Sequence, residues 1–405
     1  MPRVAQLRRR LIEASKLGHR LVPVGRGTRG LRVASGASAP TSPLATDSLA
    51  TIDAIDEAEL ILTCEAGVAL ATLEAELAPR GLVLPPLFPR ALLESLGFPG
   101  VGAGTLGGLY SDPRELPNAS AWGRLRDQVL GVEALRGDGT FFKAGGRVVK
   151  NVTGYDLTRF LCGARGRAAL TTRLHLRLER CPESVRCLRL ATTIDARFWT
   201  ALAALRAEAS EPPLLAVEPG EPGSLLLADW GPRELVDARL ERCGRSLAAA
   251  LHRSSMDVHL GAFDATTIST RAFDTTESYA LRIGAPFSRW ATGLAATLAS
   301  ARLEWQWIFP FAHFALARFR FDGERASVRA RLDALSHLLR ANGGALAFER
   351  LPSPDESNEW PDRLEITTAP IAAPLARITQ RLMATWDPAG VLWHNTHETT
   401  EMVAR

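Results

Sequence analysis

The sequence predicts an α+β protein of two domains, and three features of the chain point to it. At 405 residues it is too long for one small core. Its first 180 residues alternate strand-like and helix-like runs with glycine-rich loops. Near Cys181-Pro182 the composition changes, and helical and strand-like runs continue without such loops. The expected division is a first domain over 1–180, a second α+β domain over 181–365 that covers it, and a segment, 366–405, that returns to the first.

Taken in order, an amphipathic helix over residues 3–17 turns Val4, Leu7, Leu11 and Ile12 inward and leaves Arg8-Arg9-Arg10 on the solvated face. A short apolar strand, Leu21 to Val24, then enters the loop Gly25-Arg26-Gly27-Thr28-Arg29-Gly30. A strand over 60–64 precedes a helix over 69–79, where Leu70, Leu73 and Leu77 recur at helical spacing. Gly81 stops it, and Leu82 to Leu84 form the next strand before Pro85-Pro86 forces an extended exit. Residues 87–126, rich in Gly and Pro, read as one long ordered loop region. Gly137-Asp138-Gly139 between the runs 129–135 and 140–143 signals a β-hairpin. A helix over 155–161 and an alternating strand over 170–178 complete the first domain. In the second, helices are expected over 233–251 and 325–340 and strands over 224–229, 277–283 and 312–321; the tail carries a helix over 372–385.

Bulk composition excludes several functions. Lys plus Arg exceed Asp plus Glu by only 4 (48 against 44), without a long basic run, so nucleic acid is not an expected partner. The five cysteines, Cys64, Cys162, Cys181, Cys187 and Cys243, are scattered and contain no Cys-x-x-Cys, so neither an iron–sulfur cluster nor a zinc site is encoded. With no apolar signal segment or membrane-length run in view, the expected compartment is the cytoplasm, with membrane contact only through partners. His394, Asn395 and His397 with Glu398 could hold a metal, but a frayed polar terminus is the preferred reading and no metal is assigned. His175, His252, His259 and His313 read as structural histidines.

Gly25 to Gly30 is literally Gly-x-Gly-x-x-Gly after a strand, the pattern of a nicotinamide-binding turn. That mechanism needs a helix to begin within the motif, and the Leu31 to Gly36 run with the Ser/Ala/Pro/Thr tract behind it does not supply one. A second match, Gly102 to Gly107, lacks a preceding strand. Both read as loops whose backbone N–H groups form anion-binding nests.

The most informative stretch is Gly145-Gly146-Arg147-Val148-Val149-Lys150-Asn151-Val152-Thr153-Gly154-Tyr155-Asp156. Paired glycines allow positive φ and close approach, and Lys150 and Asn151 place donors beside a short apolar run, as a grip on a large, flat, polar cofactor requires. Asp156 could instead cap the helix that follows, and Tyr155 could be a core aromatic.

This block, with Arg159 and Gly163 after it, resembles the FAD-binding E subunits of bacterial glycolate oxidase, within the p-cresol methylhydroxylase (PCMH) and vanillyl-alcohol oxidase group of flavoproteins. The similarity runs from Leu21 to Leu178 and returns faintly at Trp386-Asp387-Pro388-Ala389-Gly390-Val391. It implies a two-subdomain PCMH-type FAD-binding domain followed by an α+β cap, and noncovalent FAD, since the first glycine loop has no histidine and His19 lies before the strand. Carried over residue by residue, it implies cofactor contacts from Val24, Gly25, Arg26, Gly27 and Thr28; from Thr105, Gly107 and Gly108; and from Gly145, Gly146, Lys150, Asn151, Gly154, Tyr155 and Asp156. Gly163, Gly166, Leu170 and Thr171 complete the set. Lys150 would stabilise reduced flavin as a fixed charge.

The implied reaction oxidises a small 2-hydroxy acid to a 2-oxo acid within a multi-subunit complex. Because the chain encodes no cluster ligands, the implied partners are a second FAD-binding subunit and a cysteine-rich iron–sulfur subunit. No residue stands out as the base for the α-proton. The chain departs from the family after Gly163, where Ala164 replaces a hydroxyl residue and Ala169 a glycine, and again at Trp393-His394-Asn395. Those departures motivate a second reading, a catalytically idle scaffold that binds FAD weakly or not at all; a nicotinamide dehydrogenase using Gly25 to Gly30 is the third.

Overall fold

A computed structural model describes residues 2–28, 41–96, 98, 103–113, 116–146, 156–207, 212–251, 258–263, 278–292, 294, 303–320, 325–350, 377, 381–382 and 384–392. Within it the first half of the chain builds a five-stranded antiparallel sheet. Its order is Ile52–Asp56, Ile61–Glu65, Leu170–Arg177, Val129–Leu135 and Phe141–Gly145. The helix Leu70–Leu77 follows the Ile61–Glu65 strand and buries Leu70, Leu73 and Leu77, the three leucines at helical spacing. Gly81 ends the following turn in the left-handed region at φ 62°, where a side chain would be strained.

Beside this sheet lies a parallel pair, Arg20–Val24 with Thr41–Ala45, in register Val22 to Pro43. The second of these strands falls in the tract that the sequence presents as loop. The first helix, Pro2–Leu17, packs Leu7, Leu11 and Ala14 into a small core with Leu21, Leu44, Val391 and Leu392. Arg8 is not merely solvated, because its Nε donates to the Gly139 carbonyl at 2.9 Å.

The expected continuous loop over 87–126 is instead punctuated by four short helices, Arg90–Ser95, Leu106–Ser111, Ala119–Trp122 and Leu125–Gln128. One or two turns are too short for a 3.6-residue period to show, and the glycines and prolines between them mask the rest.

Past residue 181 the chain forms an eight-stranded antiparallel sheet. From one edge the order is Val258–Ala262, Ser184–Thr192, Gly223–Gly231, Leu214–Glu218, Glu304–Phe309, Phe314–Arg320, Ser278–Gly284 and Ala345–Arg350. Both faces of its central strands are buried. Leu215, Val217, Leu225, Leu227 and Ile308 join the core of the helices Ala196–Ala207 and Arg233–Ala250. Their neighbours Leu214, Ala216, Leu226, Trp307 and Phe309 join the core of the first half. This second face is anchored by aromatic contacts, including Trp122 stacked on Trp230 with ring centres 5.9 Å apart and Phe98 against Phe309 at 5.6 Å.

The described end of the tail returns to the first half. Leu21 N–H donates to Val391 O at 2.6 Å, and Leu392 makes a parallel bridge to Leu21, adding a third member beside the Arg20–Val24 strand. Asp387, 3% exposed, folds this turn by accepting from Val391 N–H at 3.0 Å and Leu392 N–H at 2.7 Å. Arg136 donates to the carbonyls of Trp386 and Thr385 at 3.1 and 2.8 Å. A Cβ on Gly137 would overlap the Asp387 carboxylate. Gly137→Ala is therefore expected to cost about 2 kcal/mol and to open the tail to limited proteolysis between 384 and 392; an unchanged cleavage pattern and melting temperature would refute this docking.

Candidate functional site

Three segments far apart in sequence line one open cleft: residues 23–28, residues 105–112 and residues 165–171, with Thr46 and Ala66 between them. Each is placed by a regular element. The first leaves the Arg20–Val24 strand, the second contains the Leu106–Ser111 helix, and the third enters the Leu170–Arg177 strand. Close contacts lock them together. A Cβ on Gly25 would lie 2.5 Å from Thr105 Oγ1, one on Gly104 2.9 Å from Thr28 Oγ1, and one on Gly166 3.0 Å from Pro23 Cγ. Gly27, at φ 70°, adopts a left-handed backbone that favours glycine, with nothing among the described residues within 4 Å of its Cβ position.

Of the sequence-derived positions, Val24, Gly25, Arg26, Gly27, Thr28, Thr105, Gly107, Gly108, Gly166, Leu170 and Thr171 line this cleft. The end of the second glycine motif nonetheless does not offer its N–H groups as an anion nest. Leu106 N–H donates to Val68 O at 2.9 Å, Gly107 N–H to Ala66 O at 2.6 Å and Gly108 N–H to Thr105 Oγ1 at 3.2 Å, so these donors are already engaged. A helix also begins inside the motif, capped by Thr105. Gly107 lacks a side chain because a Cβ there would sit 2.9 Å from Ala66.

Other sequence-derived positions have local structural duties. Gly145, at φ 66°, would drive a Cβ into Leu130 O, and Gly146 N–H donates to that same carbonyl at 3.1 Å. Gly145 thus lets the Phe141–Gly145 strand end tightly against Val129–Leu135, whereas a Cβ on Gly146 would meet nothing within 4 Å among the described residues; neither residue is among those lining the cleft. Asp156 caps the helix Leu157–Leu161, accepting from Arg159 N–H at 3.1 Å and from the Thr158 hydroxyl. Burial opposes its ionisation, but these bonds and the Arg159 charge hold its carboxyl below the usual aspartate range. Gly163, at φ 84°, donates to Tyr110 O at 3.0 Å. Lys150, Asn151, Gly154 and Tyr155 lie outside the described residues, as do His394, His397 and most of the expected 372–385 helix. His175 bonds Thr63 Oγ1 at 2.9 Å, a structural contact between strands.

The sequence did not single out Pro23, Thr46, Ala66, Ser111, Asp112 and Arg165 as lining residues. Thr46 and Ala66 follow strands of two different sheets, Thr41–Ala45 and Ile61–Glu65, so they reach one cleft only through tertiary assembly, which no local pattern announces. Arg165 carries a signal visible only in the fold: a non-glycine residue at φ 52°.

The lining suits FAD in kind. Two guanidinium groups, Arg26 and Arg165, answer a pyrophosphate; the hydroxyls of Thr28, Thr46, Thr105 and Thr171 can bond polar edges; and Pro23, Val24, Ala169 and Leu170 supply an apolar wall.

Known proteins agree with that fit. Residues 3–145 match the family model described as an FAD binding domain. About a third of the chain is thus similar to an FAD binding domain, and FAD is the cofactor that the comparisons support. Among curated proteins, the glycolate oxidase subunit GlcE of Escherichia coli is 33% identical over 134 residues, 33% of this chain and 36% of that protein. D-lactate dehydrogenase of Archaeoglobus fulgidus is 31% identical over 147 residues, 36% of this chain and 30% of that protein. The glycolate oxidase subunit GlcD of Bacillus subtilis is 29% identical over 242 residues, 55% and 48% of the two chains. The matches thus span about a third to a half of each relative's length. The fold as a whole is similar to that of alkyldihydroxyacetonephosphate synthase, with a TM-score of 0.66 over 95% of this chain and 73% of the other at 13% identity.

Proposed function

We propose that the chain is an FAD-binding subunit that oxidises a small 2-hydroxy acid to a 2-oxo acid within a glycolate-oxidase-like complex. The observation that carries this reading is the meeting of three distant segments at one cleft, two of them within the stretch that matches the FAD binding domain. Relatives named for D-lactate, glycolate and, in Stutzerimonas stutzeri, D-2-hydroxyglutarate share a 2-hydroxy acid in their names, which supports the substrate class. Residues 1–180 with the returning tail would form the two-subdomain PCMH-type unit, and 181–365 the cap. Noncovalent attachment is part of the proposal.

When bound, FAD would supply a two-electron acceptor: the substrate's α-carbon and hydroxyl together give up two hydrogens with two electrons, and the carbonyl forms. The protein's part is to hold and orient. Gly25 to Thr28 would close around the phosphates, Arg26 and Arg165 would balance their charge, and Leu170 with Ala169 would press an apolar wall against the ring system. Reduced flavin would pass its electrons to a second FAD-binding subunit and a separate iron–sulfur subunit, through which any membrane contact would run. Work in the reducing cytoplasm is part of the proposal, in keeping with five scattered cysteines that form no Cys-x-x-Cys.

Anaerobic addition of D-lactate, glycolate or D-2-hydroxyglutarate to the FAD-loaded protein, with its partners present, should bleach the flavin absorbance. Retention of full absorbance with all three would count against the substrate class. One observation favours the scaffold reading: Ala169, 4% exposed, stands where the resemblance leads one to expect a glycine, and it lines the cleft. FAD binding with no reduction by any 2-hydroxy acid or partner would select it.

A further inference from the structure

We infer that Arg165 is a phosphate-binding residue of the FAD site, held in reserve by Asp112; the inference rests on the reading of the cleft as that site. Three independent features of Arg165 converge. Its side chain lines the same cleft as Arg26 and the Gly25 to Thr28 loop. It adopts φ 52°, a left-handed conformation that costs a non-glycine residue free energy and persists only where the surroundings impose it. Those surroundings are visible: Arg165 N–H donates to Ser111 O at 2.9 Å, Arg167 N–H closes the turn onto Ala164 O at 2.9 Å, and Gly166 at φ 74° packs on Pro23. The turn is therefore pinned between the helix Leu106–Ser111 and the strand that feeds the glycine loop, and glycine would satisfy the same backbone with less strain.

The side chain's present partner is weak. Arg165 Nε lies 3.5 Å from Asp112 Oδ1, with the two side chains 48% and 21% exposed. An ion pair that long and that open to water contributes little, so a doubly charged pyrophosphate in the cleft can take the guanidinium from it. Arg165 also directly follows Ala164, where the resemblance leads one to expect a hydroxyl. A cation one residue on offers an anion more than the missing hydroxyl would, which lets the altered turn still hold the cofactor. Asp112 then acts as a competitor: its carboxylate occupies the cation in the empty site and opposes phosphate in the filled one.

The test is FAD affinity by titration calorimetry, with melting temperature measured alongside, for the intact chain and for Arg165→Gly, Arg165→Lys and Asp112→Asn, at low salt and near 1 M salt. Arg165→Gly should keep or raise the melting temperature of the FAD-free protein, because it relieves the left-handed backbone, yet weaken FAD by about tenfold at low salt. That ratio should shrink near 1 M salt, where charges are screened beyond about 3 Å. Arg165→Lys should fall between the two, and Asp112→Asn should bind FAD more tightly than the native chain. The inference is overturned if Arg165→Gly binds FAD as the native chain does, if its deficit is the same at both salt concentrations, or if Asp112→Asn weakens binding. A native chain that binds no FAD would instead sink the reading of the cleft itself.

Discussion

Replacing Gly145 with alanine should destabilise the protein by about 3 kcal/mol or more while leaving the FAD affinity of the molecules that remain folded nearly unchanged. The residue sits at φ 66°, and a Cβ there would overlap the Leu130 carbonyl and stand 2.9 Å from Gly131 Cα. The left-handed backbone alone costs a side chain about 1–2 kcal/mol, and forcing a methyl into a packed strand pair adds about 1–3 kcal/mol. Neither the Phe141–Gly145 strand nor Val129–Leu135 can yield cheaply, because they are hydrogen-bonded in register from Gly131–Gly145 to Leu135–Phe141. Urea unfolding of the FAD-free protein, followed by FAD titration of the variant, separates the two effects. Intact stability with lost FAD binding would return Gly145 to the cofactor site and refute its structural assignment.

Arg173→Ala is the second large effect, expected to cost about 3 kcal/mol near neutral pH. Arg173 stands on the Leu170–Arg177 strand among three carboxylates. It bonds Glu133 at 2.9 Å and Asp53 at 2.8 and 3.1 Å, and approaches Glu65 at 3.9 Å. Glu133 and Glu65 are 6% and 7% exposed, so removing the cation leaves negative charge in a poorly solvated place, with Lys143, 2.6 Å from Glu133, and Arg3, 4.0 Å from Glu65, as partial compensation. Burial of Glu133 favours its neutral form, but Lys143 and Arg173 outweigh this and hold its carboxyl below the usual glutamate range.

The sign of the pH dependence follows. A depressed folded-state pKa contributes stability above the ordinary glutamate value, about 4.3, and that stability is lost as pH falls through the folded value. The deficit of Arg173→Ala should therefore be full at pH 7 and shrink below about pH 4.3, as the wild type loses the same interaction. A deficit that stays constant from pH 7 to pH 3 would show that lost packing, not lost charge pairing, is responsible.

Much of the first half was legible because its signals are local. The leucines of Leu70–Leu77, the left-handed Gly81, and the Gly137-Asp138-Gly139 turn, closed by Arg136 N–H to Thr140 O at 2.9 Å, each act within a few residues. The alternation of Leu170–Arg177 likewise reports a strand with one face more buried than the other. What was not legible depends on partners distant in sequence. Thr41–Ala45 contains Pro43 and few apolar residues, and is a strand only because Arg20–Val24 lies beside it. Leu214–Glu218 and Gly223–Gly231 are buried on both faces, so their sequences lack alternation; the first passed unnoticed and the second was read short at both ends.

The site divides in the same way. The Gly25 to Thr28 loop announces itself by glycines with a local conformational purpose. Thr46, Ala66 and Asp112 enter the cleft only through tertiary assembly. Gly145 looks in sequence like a glycine that admits a ligand, and only the position of the Leu130 carbonyl shows what its missing side chain makes room for.

Noncovalent FAD binding by this chain is tested by the visible absorption spectrum of the purified protein, recorded before and after acid precipitation and again after added FAD. The twin bands of oxidised flavin should be present at purification or restored by FAD, and should pass to the supernatant on precipitation. A chain that stays colourless with excess FAD, or whose flavin remains in the pellet, would contradict noncovalent binding.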